Sequence, residues 1–212
     1  MVSKLFWENP YATQLKTRVS TVDGDDVTLE ETIFYAFSGG QESDGGTIGG
    51  KTVLEARKEG LEIFYTLESD HNLNAGDEVF VEIDWQRRYK LMRLHFAAEI
   101  VLELVTRRLP GVEKIGAHIS EDKARIDFLW PENFSPLLHE LQQTAHNLIT
   151  ANHTIVSDFS DEATQRRYWR IEGFAEVPCG GTHLKTTGEV GTVRLKRKNV
   201  GSNKERVEIV LA

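Results

Sequence analysis

Two short segments of this chain carry residue types that bind metal ions. The segment "EVPCGGTHLKTTGEVG", residues 176–191, contains the single cysteine, Cys179, with His183 four positions later. A second pair with the same spacing, His95 and Glu99, lies in "QRRYKLMRLHFAAEIVLELVTRRL". On a helix, residues four apart project from one face. Imidazole, carboxylate and thiolate groups all coordinate zinc tetrahedrally, so the two pairs together predict a zinc site.

Each of these residues also has a simpler interpretation. His95 lies among apolar residues and would serve equally well as a buried, hydrogen-bonded histidine. Glu99 alone is typical of a solvated helix residue, and a lone Cys179 is typical of a small core residue. Catalytic zinc sites also keep one position for water or substrate, so one of the four residues is expected to be absent or weakly held.

The element that must position His95 and Glu99 is predicted to be a helix over residues 86–108. Its apolar residues at helical spacing are Leu91, Leu94, Ala98, Val101, Leu102 and Val105. Pro110 and Gly111 then end the segment.

The first 85 residues predict a small antiparallel β-barrel. Alternating or β-branched segments, such as "QLKTRVSTV" and "DEVFVEIDW", are separated by turn residues. Six of the 17 glycines fall in residues 39–50, but the Gly-Lys-Ser/Thr ending of a phosphate-binding loop is absent. This glycine motif therefore predicts a tight loop system in which backbone approaches a neighbouring group closely.

The remainder of the chain predicts helices laid against an antiparallel sheet. "KIGAHIS" and "ARIDFLW" resemble strands, residues 133–151 and 161–170 resemble helices, and "GTVRLKRKNV" and "ERVEIVLA" resemble two final strands. The predicted fold class is thus α+β, with a barrel domain at 1–85 and an α+β domain at 86–212.

Charge is unevenly distributed along the chain. The net charge is −8, but residues 1–85 carry −11 and residues 86–212 carry +3. A split of this kind favours two domains with different partners, and the basic C-terminal residues favour a polyanion such as RNA. The alternative is that basic side chains only keep an edge strand from aggregating.

Cysteine content and hydropathy indicate the compartment. One cysteine excludes an internal disulfide, which favours a reducing cytoplasm. The N-terminal "MVSKLFWENP" lacks a secretory apolar segment, and no stretch approaches the roughly 20 apolar residues of a membrane span, so no membrane partner is expected. These features leave the oligomeric state open.

Several segments resemble one known family. "PCGGTHLKTTGEVG" with the preceding "RRYWRIEG", "FYAFSGGQESDGG", "VEIDWQRRYKLMRLHFAAE", "KARIDF" and "GTVRLKRKNVGSNKERVEI" are similar to motifs of the alanyl-tRNA editing family. That family comprises the editing domain of alanyl-tRNA synthetase and free-standing AlaX-type trans-editing hydrolases. The resemblance extends from about Leu29 to the C-terminus.

The resemblance implies a β-barrel like that of translation factors followed by a zinc-binding editing domain. It implies hydrolysis of the ester between a wrong amino acid, chiefly serine, and the tRNA for alanine. The implied metal ligands are His95, Cys179 and His183, while Glu99 stands where the family usually has histidine. The chain also reads Lys114-Ile115-Gly116-Ala117 where the synthetase domain commonly has a glutamine before Gly-Ser.

Further site residues follow from the implied reaction. Thr32 and Thr182 are candidates for sensing the serine hydroxyl. Backbone at Gly39 and Gly40 is expected to approach the tRNA end, although this loop would equally serve structural packing between the two domains. The predicted phosphate contacts are Lys185, Lys196, Arg197 and Lys198. Two alternatives stay open: a zinc hydrolase acting on another aminoacyl ester, and a non-catalytic tRNA-binding module with a structural zinc.

Overall fold

The computed structural model describes residues 2–212 and divides into two compact units. Unit 1 comprises the chain up to Ser38 together with Glu42–Tyr89, and unit 2 comprises Gly39–Gln41 and Lys90–Ala212. The predicted boundary between residues 85 and 86 falls at the start of helix α1 (Trp85–Arg108).

Unit 1 is a closed barrel, as predicted. Its strands are β1 (Ser3–Lys4), β2 (Gln14–Asp23), β3 (Asp26–Leu29), β4 (Glu31–Thr32), β5 (Gly46–Ile48), β6 (Lys51–Glu59), β7 (Glu62–Leu67) and β8 (Glu78–Ile83). The barrel order is β2-β3-β7-β6-β5-β8, all antiparallel, while β1 and β4 form a separate parallel pair. The pairing of β2 with β8 closes the barrel. Side chains alternate between the two faces of each strand, and Ile63, Tyr65 and Leu67 of β7 are buried in the core.

Unit 2 combines two antiparallel sheets with helices. Its further elements are β9 (Glu113–Ile119), β10 (Ala124–Leu129), α2 (Ser135–Thr150), β11 (Val156–Asp161), β12 (Arg166–Ile171), β13 (Ala175–Pro178), a 3-10 helix (Thr187–Val190), β14 (Val193–Gly201) and β15 (Lys204–Leu211). One sheet has the order β14-β15-β10-β9 and the other has the order β11-β12-β13. The α+β class is therefore confirmed.

Helix α1 begins one residue before its predicted start and ends at the predicted Arg108. Five of its six predicted apolar positions are buried and Leu102 is half-buried. Met92, Phe96, Ala97 and Ile100 are buried as well, so apolar residues cover almost the whole circumference. A helix of this kind lies inside a core and holds its polar side chains in fixed positions.

The predicted helix over 161–170 is wrong. Asp161 ends β11, a turn follows in which Gln165 has φ +54°, and β12 begins at Arg166. The Asp161 carboxylate accepts from the Thr164 backbone amide at 3.2 Å and from its hydroxyl at 2.6 Å, which stabilises the turn. In β12 the inward residues Arg167, Trp169 and Ile171 repeat every second position, so burial and strand pairing override helix propensity.

Both edges of the four-stranded sheet are covered within unit 2. At β14, the Gln142 side chain of α2 donates to Val193 O at 2.8 Å and accepts from Leu195 N at 2.7 Å. At β9, Gln41 forms a parallel bridge with Ile119, whose amide donates to Gly40 O at 2.7 Å. The glycine motif thus acts partly as a short strand added to β9.

Among residues 2–212, no helix combines the length and the apolar character needed to cross a lipid bilayer.

Candidate metal centre

Helix α1 and the segment after β13 bring together the residues predicted to bind metal. The ligand atoms of His95, Cys179 and His183 all lie within 4.8 Å of one another. The Cys179 Sγ atom is 3.3 Å from Nε2 of each histidine. The fourth predicted residue, Glu99, lies beside two of the three, with Oε1 3.3 Å from His95 Nε2 and 3.7 Å from Cys179 Sγ.

These spacings fit the donor geometry of zinc. Zinc binds nitrogen and oxygen at about 2.0–2.2 Å and sulfur at about 2.3 Å. Tetrahedral angles then place nitrogen and sulfur donors about 3.5 Å apart and nitrogen and oxygen donors about 3.4 Å apart. The His95–Cys179 and His95–Glu99 separations, both 3.3 Å, match these values closely. The cluster can therefore hold a metal ion with two imidazoles and one thiolate, next to one carboxylate.

The Cys-Gly-Gly-Thr-His segment is partly buried, despite its polar and glycine-rich sequence: Gly181, Thr182 and His183 are buried, Cys179 is half-buried and Gly180 is exposed. Cys179 directly follows β13, and its amide donates to Arg167 O of β12 at 2.9 Å. A Cβ atom at Gly181 would collide with the His95 ring and lie 2.9 Å from Gln41 Oε1. Glycine at 181 therefore lets the segment approach α1 closely enough for the two ligand pairs to meet.

Three residues outside the predicted site hold its side chains in orientation. Ser157 Oγ lies 2.8 Å from His183 Nδ1, and Trp169 Nε1 donates to Glu99 Oε2 at 3.0 Å. Gln41 Oε1 contacts His95 Nδ1. Groups that contact the second nitrogen of a ligand histidine fix its tautomer and ring orientation.

These three residues were missed because single residues with common side chains have no spacing that marks them. Trp169 and Gln41 lie in segments quoted for the family resemblance, so only their roles were missed. For Ser157 the sequence contains no such signal.

Burial and neighbouring charges shift the pKa values of His95, Glu99 and His183 in different directions. Burial acts to lower the pKa of His95, but the adjacent Cys179 and Glu99 groups outweigh it and raise that pKa to about 10. Burial acts to raise the pKa of Glu99, but the hydrogen bond and charge of His95, with the Trp169 hydrogen bond, lower it to about 2. Burial and the charge on His95 lower the pKa of His183 to about 3. A proton on His95 Nε2 and a bound metal ion would therefore compete for the same atom.

The two candidate hydroxyls have different surroundings. Thr182 is 1% exposed, and its Oγ1 accepts from Gln41 Nε2 at 2.9 Å, beside the metal-ligand cluster. Thr32 is fully buried in unit 1, where its Oγ1 lies 2.7 Å from the Tyr65 hydroxyl and accepts from Phe34 N at 3.0 Å. The hydroxyl of Thr32 thus has two partners inside its own unit.

The predicted tRNA contacts fall into two groups. Lys185, Lys196 and Lys198 are exposed. Arg197 instead makes two hydrogen bonds of 2.6 Å to Glu205, whose side chain is 4% exposed. The two lysines of β14 therefore present charge to solvent, whereas Arg197 serves an internal ion pair.

The two glycines at 39 and 40 belong to unit 2, and Gly40 lies against β9. Gly40 has φ +89°, and a Cβ atom there would lie 2.6 Å from Ala117 O. The close approach predicted for the glycine motif is therefore, at Gly40, an approach to the protein's own strand. This contact lies within unit 2, and the predicted contact of the loop with tRNA stays a prediction.

Comparisons with known proteins match this chain over part or nearly all of its length. The family model described as the second additional domain of threonyl and alanyl tRNA synthetases matches residues 167–208. The chain is 34% identical to the alanyl-tRNA editing protein AlaX-M of Pyrococcus horikoshii, over 100% of this chain and 98% of that protein. It is 32% identical to AlaX-M of Saccharolobus solfataricus over 98% of each. An alanine–tRNA ligase of Methanococcus aeolicus is 28% identical over 96% of this chain and 25% of its own length.

Proposed function

This chain belongs to the alanyl-tRNA editing family, and from that premise we propose that it is a trans-editing hydrolase. Its substrate is the tRNA for alanine wrongly charged with serine, and its reaction is hydrolysis of the aminoacyl ester in the cytoplasm. The observation that carries the proposal is the cluster of two buried histidines, His95 and His183, with the half-buried Cys179, whose ligand atoms lie within 4.8 Å of one another.

The donor set fits zinc, with His95 Nε2, Cys179 Sγ and His183 Nε2 as ligands and Glu99 as the fourth. When bound there, zinc supplies Lewis-acid chemistry, since it polarises an ester carbonyl and lowers the pKa of water. The chain's own contribution is to hold the four donors: α1 sets two of them one turn apart, and the segment after β13 sets the others.

Discrimination between serine and alanine requires a polar group that the serine hydroxyl satisfies and alanine leaves unpaired. Such a site separates two substrates by on the order of 10⁴. We assign this group to Thr182, because its hydroxyl is buried next to the metal-ligand cluster. Thr32 remains the second candidate, with its hydroxyl already occupied by Tyr65 and Phe34.

The tRNA is held through phosphate contacts on the exposed face of β14 and at Lys185. Lys196 and Lys198 lie two residues apart on a strand, so both side chains project from one face. Cationic side chains on phosphates supply most of the sequence-independent affinity for a nucleic acid, and this term weakens steeply with salt.

The proposal is tested by deacylation of seryl-tRNA and alanyl-tRNA, both made on the tRNA for alanine. Chelator-treated protein and protein reloaded with zinc are compared with a Cys179→Ala variant as control. We expect rapid release of serine with alanine spared, only in the zinc-loaded wild-type chain. Equal release with and without zinc would contradict the metal-assisted reaction.

A second candidate function is a tRNA-binding module with a structural zinc. The observation in its favour is Glu99, because four protein ligands leave no open position on a tetrahedral ion. Binding of the tRNA without release of any amino acid would support this candidate. Release of an amino acid other than serine would instead support a zinc hydrolase with another aminoacyl substrate.

A further inference from the structure

We propose that Gln41 is a positioning residue that sets both the metal-binding form of His95 and the hydrogen-bonding direction of Thr182. Its side-chain amide lies between the two, with Oε1 contacting His95 Nδ1 and Nε2 donating to Thr182 Oγ1 at 2.9 Å. This inference rests on the proposed metal site, and it adds the connection from that site through Gln41 to Thr182.

The main chain holds Gln41 rigidly. The residue bridges to Ile119 on the edge of β9, and the preceding carbonyl, Gly40 O, accepts from Ile119 N at 2.7 Å. Gly40 has φ +89°, a conformation that favours glycine, and the space for a Cβ atom is filled by Ala117 O. Gln41 is 1% exposed, so bulk water does not reach its amide to replace either hydrogen-bond partner.

The chemistry of a metal ligand decides which way the amide of Gln41 faces. A histidine that binds zinc through Nε2 must carry its proton on Nδ1. His95 Nε2 faces Cys179 and Glu99, so the proton lies on the nitrogen that faces Gln41. Only the amide oxygen can accept that proton, which leaves the amide nitrogen to face Thr182.

The same orientation controls Thr182. Because Gln41 Nε2 is a donor, the Thr182 hydroxyl must act as its acceptor. The hydroxyl proton of Thr182 is then available to donate to a substrate oxygen, as recognition of a serine hydroxyl would require. The buried amide of Gln41 thus links metal affinity to the discrimination between serine and alanine on the tRNA.

Two substitutions separate these effects. Gln41→Met keeps a similar length but removes both hydrogen bonds, and we expect zinc affinity to fall about 10–100-fold. Gln41→Glu keeps an oxygen to accept from His95 but turns the group beside Thr182 into an acceptor. It should retain zinc affinity within about threefold yet lower the serine-to-alanine rate ratio about tenfold or more.

Zinc affinity is measured by competition with a chromophoric chelator, so this readout is independent of activity. The matched control is Gln143→Met, at an exposed glutamine of α2. Wild-type affinity in Gln41→Met, or a wild-type rate ratio in Gln41→Glu, overturns the inference. If Gln41→Met does not fold, the two readouts of Gln41→Glu decide alone.

Failure of the proposed function gives a different pattern. A wild-type chain that binds zinc but releases neither amino acid refutes the editing reaction, while a loss of zinc affinity in Gln41→Met still supports the metal part of the inference. A wild-type chain that binds no zinc overturns both the metal site and the role of Gln41.

Discussion

At the scale of single residues, the proposed ligand Glu99 would set the charge of the metal centre. With Cys179 and Glu99 deprotonated, the proposed ligands carry two negative charges, which balance a divalent ion completely. A histidine in place of Glu99 would leave one positive charge. A less positive centre acidifies water less, so we expect this site to need a higher pH for full activity than a site with one anionic ligand.

Replacing Glu99 by glutamine tests this assignment. Glu99→Gln keeps the shape and an oxygen for Trp169 but removes the charge, and we expect zinc affinity to fall about tenfold or more. Any zinc that remains bound should acidify water more strongly, so the pH–rate profile should move to lower pH. Chelator competition and initial rates of serine release between about pH 5 and 9 would measure both effects.

The control is Glu103→Gln, one turn further along α1, where the carboxylate lies 4.0 Å from the exposed Arg107 guanidinium. It removes the same charge from the same helix without altering the cluster. Unchanged zinc affinity in Glu99→Gln would remove Glu99 from the ligands.

The candidate ligand residues could be predicted from the sequence, because both their side-chain types and their spacing are typical of metal sites. His95 with Glu99 and Cys179 with His183 are unusual side chains at a spacing that metal sites use. Gln41, Ser157 and Trp169 were not accessible, because their partners lie 54, 26 and 70 positions away along the chain. Contacts at such separations are decided by tertiary packing, which spacing in a single sequence does not encode.

At the scale of elements, side chains on opposite faces of β14 have different proposed roles: exposed cations bind tRNA, and Arg197 stabilises the fold. Arg194, Lys196 and Lys198 are exposed and share one face, while Arg197 pairs with Glu205. Replacing the three exposed cations by alanine should raise KM for charged tRNA on the order of tenfold or more with kcat little changed. The slope of log KM against log salt should also become shallower by up to about 2–3. Steady-state rates at several salt concentrations measure both quantities.

The matched control removes the same charge from unit 1, through alanine at the exposed Lys16, Arg18 and Lys58. Equal effects of the two triple variants would mean that general electrostatic attraction, and not β14, holds the tRNA. Arg197→Ala belongs in neither set, because it leaves the largely buried Glu205 carboxylate without its partner and lowers stability.

Three strands of the barrel are joined by one polar cluster. Arg57 of β6 donates to both carboxylate oxygens of Asp26 on β3, at 3.0 and 2.5 Å. Thr66 of β7 donates to Asp26 Oδ1 at 2.5 Å. The hydrogen bonds from Arg57 and then Thr66 lower the pKa of Asp26 to about 2.

This cluster predicts how barrel stability depends on pH. The pKa of Asp26 is lower in the folded state than its ordinary value of 3.8, so its stabilisation is complete above pH 3.8 and disappears as the pH falls through about 2. Asp26→Asn should therefore reduce the free energy of unfolding by about 1–2 kcal/mol at neutral pH. The difference from wild type should shrink between about pH 4 and 2.

Urea unfolding of both proteins across this pH range would measure the difference. The control is Asp23→Asn, an exposed aspartate at the end of β2. A pH-independent difference for Asp26→Asn would contradict the ion-pair explanation.

Periodicity predicted the elements where one face is clearly apolar. The barrel strands β7 and β8 follow this rule, and α1 was predicted from apolar residues at helical spacing, although its buried residues extend around almost the whole helix. Residues 161–170 did not, because Glu, Ala, Gln and Arg favour helices while the inward pair of Arg167 and Trp169 favours a strand. Pairing of β12 with β11 and β13 stabilises the strand over the helix, and the local sequence does not show this pairing.

At the scale of the whole molecule, the net charge of −8 misleads about the partner. The 33 acidic side chains outnumber the 25 basic ones, but the excess lies in residues 1–85. Attraction for a polyanion is a local property that decays within about 10 Å at moderate salt, so a basic strand face can bind RNA on an acidic protein. We therefore expect the protein to bind arbitrary RNA weakly, and its affinity for tRNA to depend on few phosphate contacts.

The position of β15 has a consequence for the timing of folding. This strand is made after β9, β10 and β14, yet it lies between β10 and β14 in the sheet. Until Lys204–Leu211 has left the ribosome, β14 has no strand to pair with and β10 has only β9, although every proposed metal ligand has already been synthesised. A nascent chain stalled before this strand would hold all its proposed ligands on an incomplete scaffold, so the synthesis of β15 determines when the sheet closes.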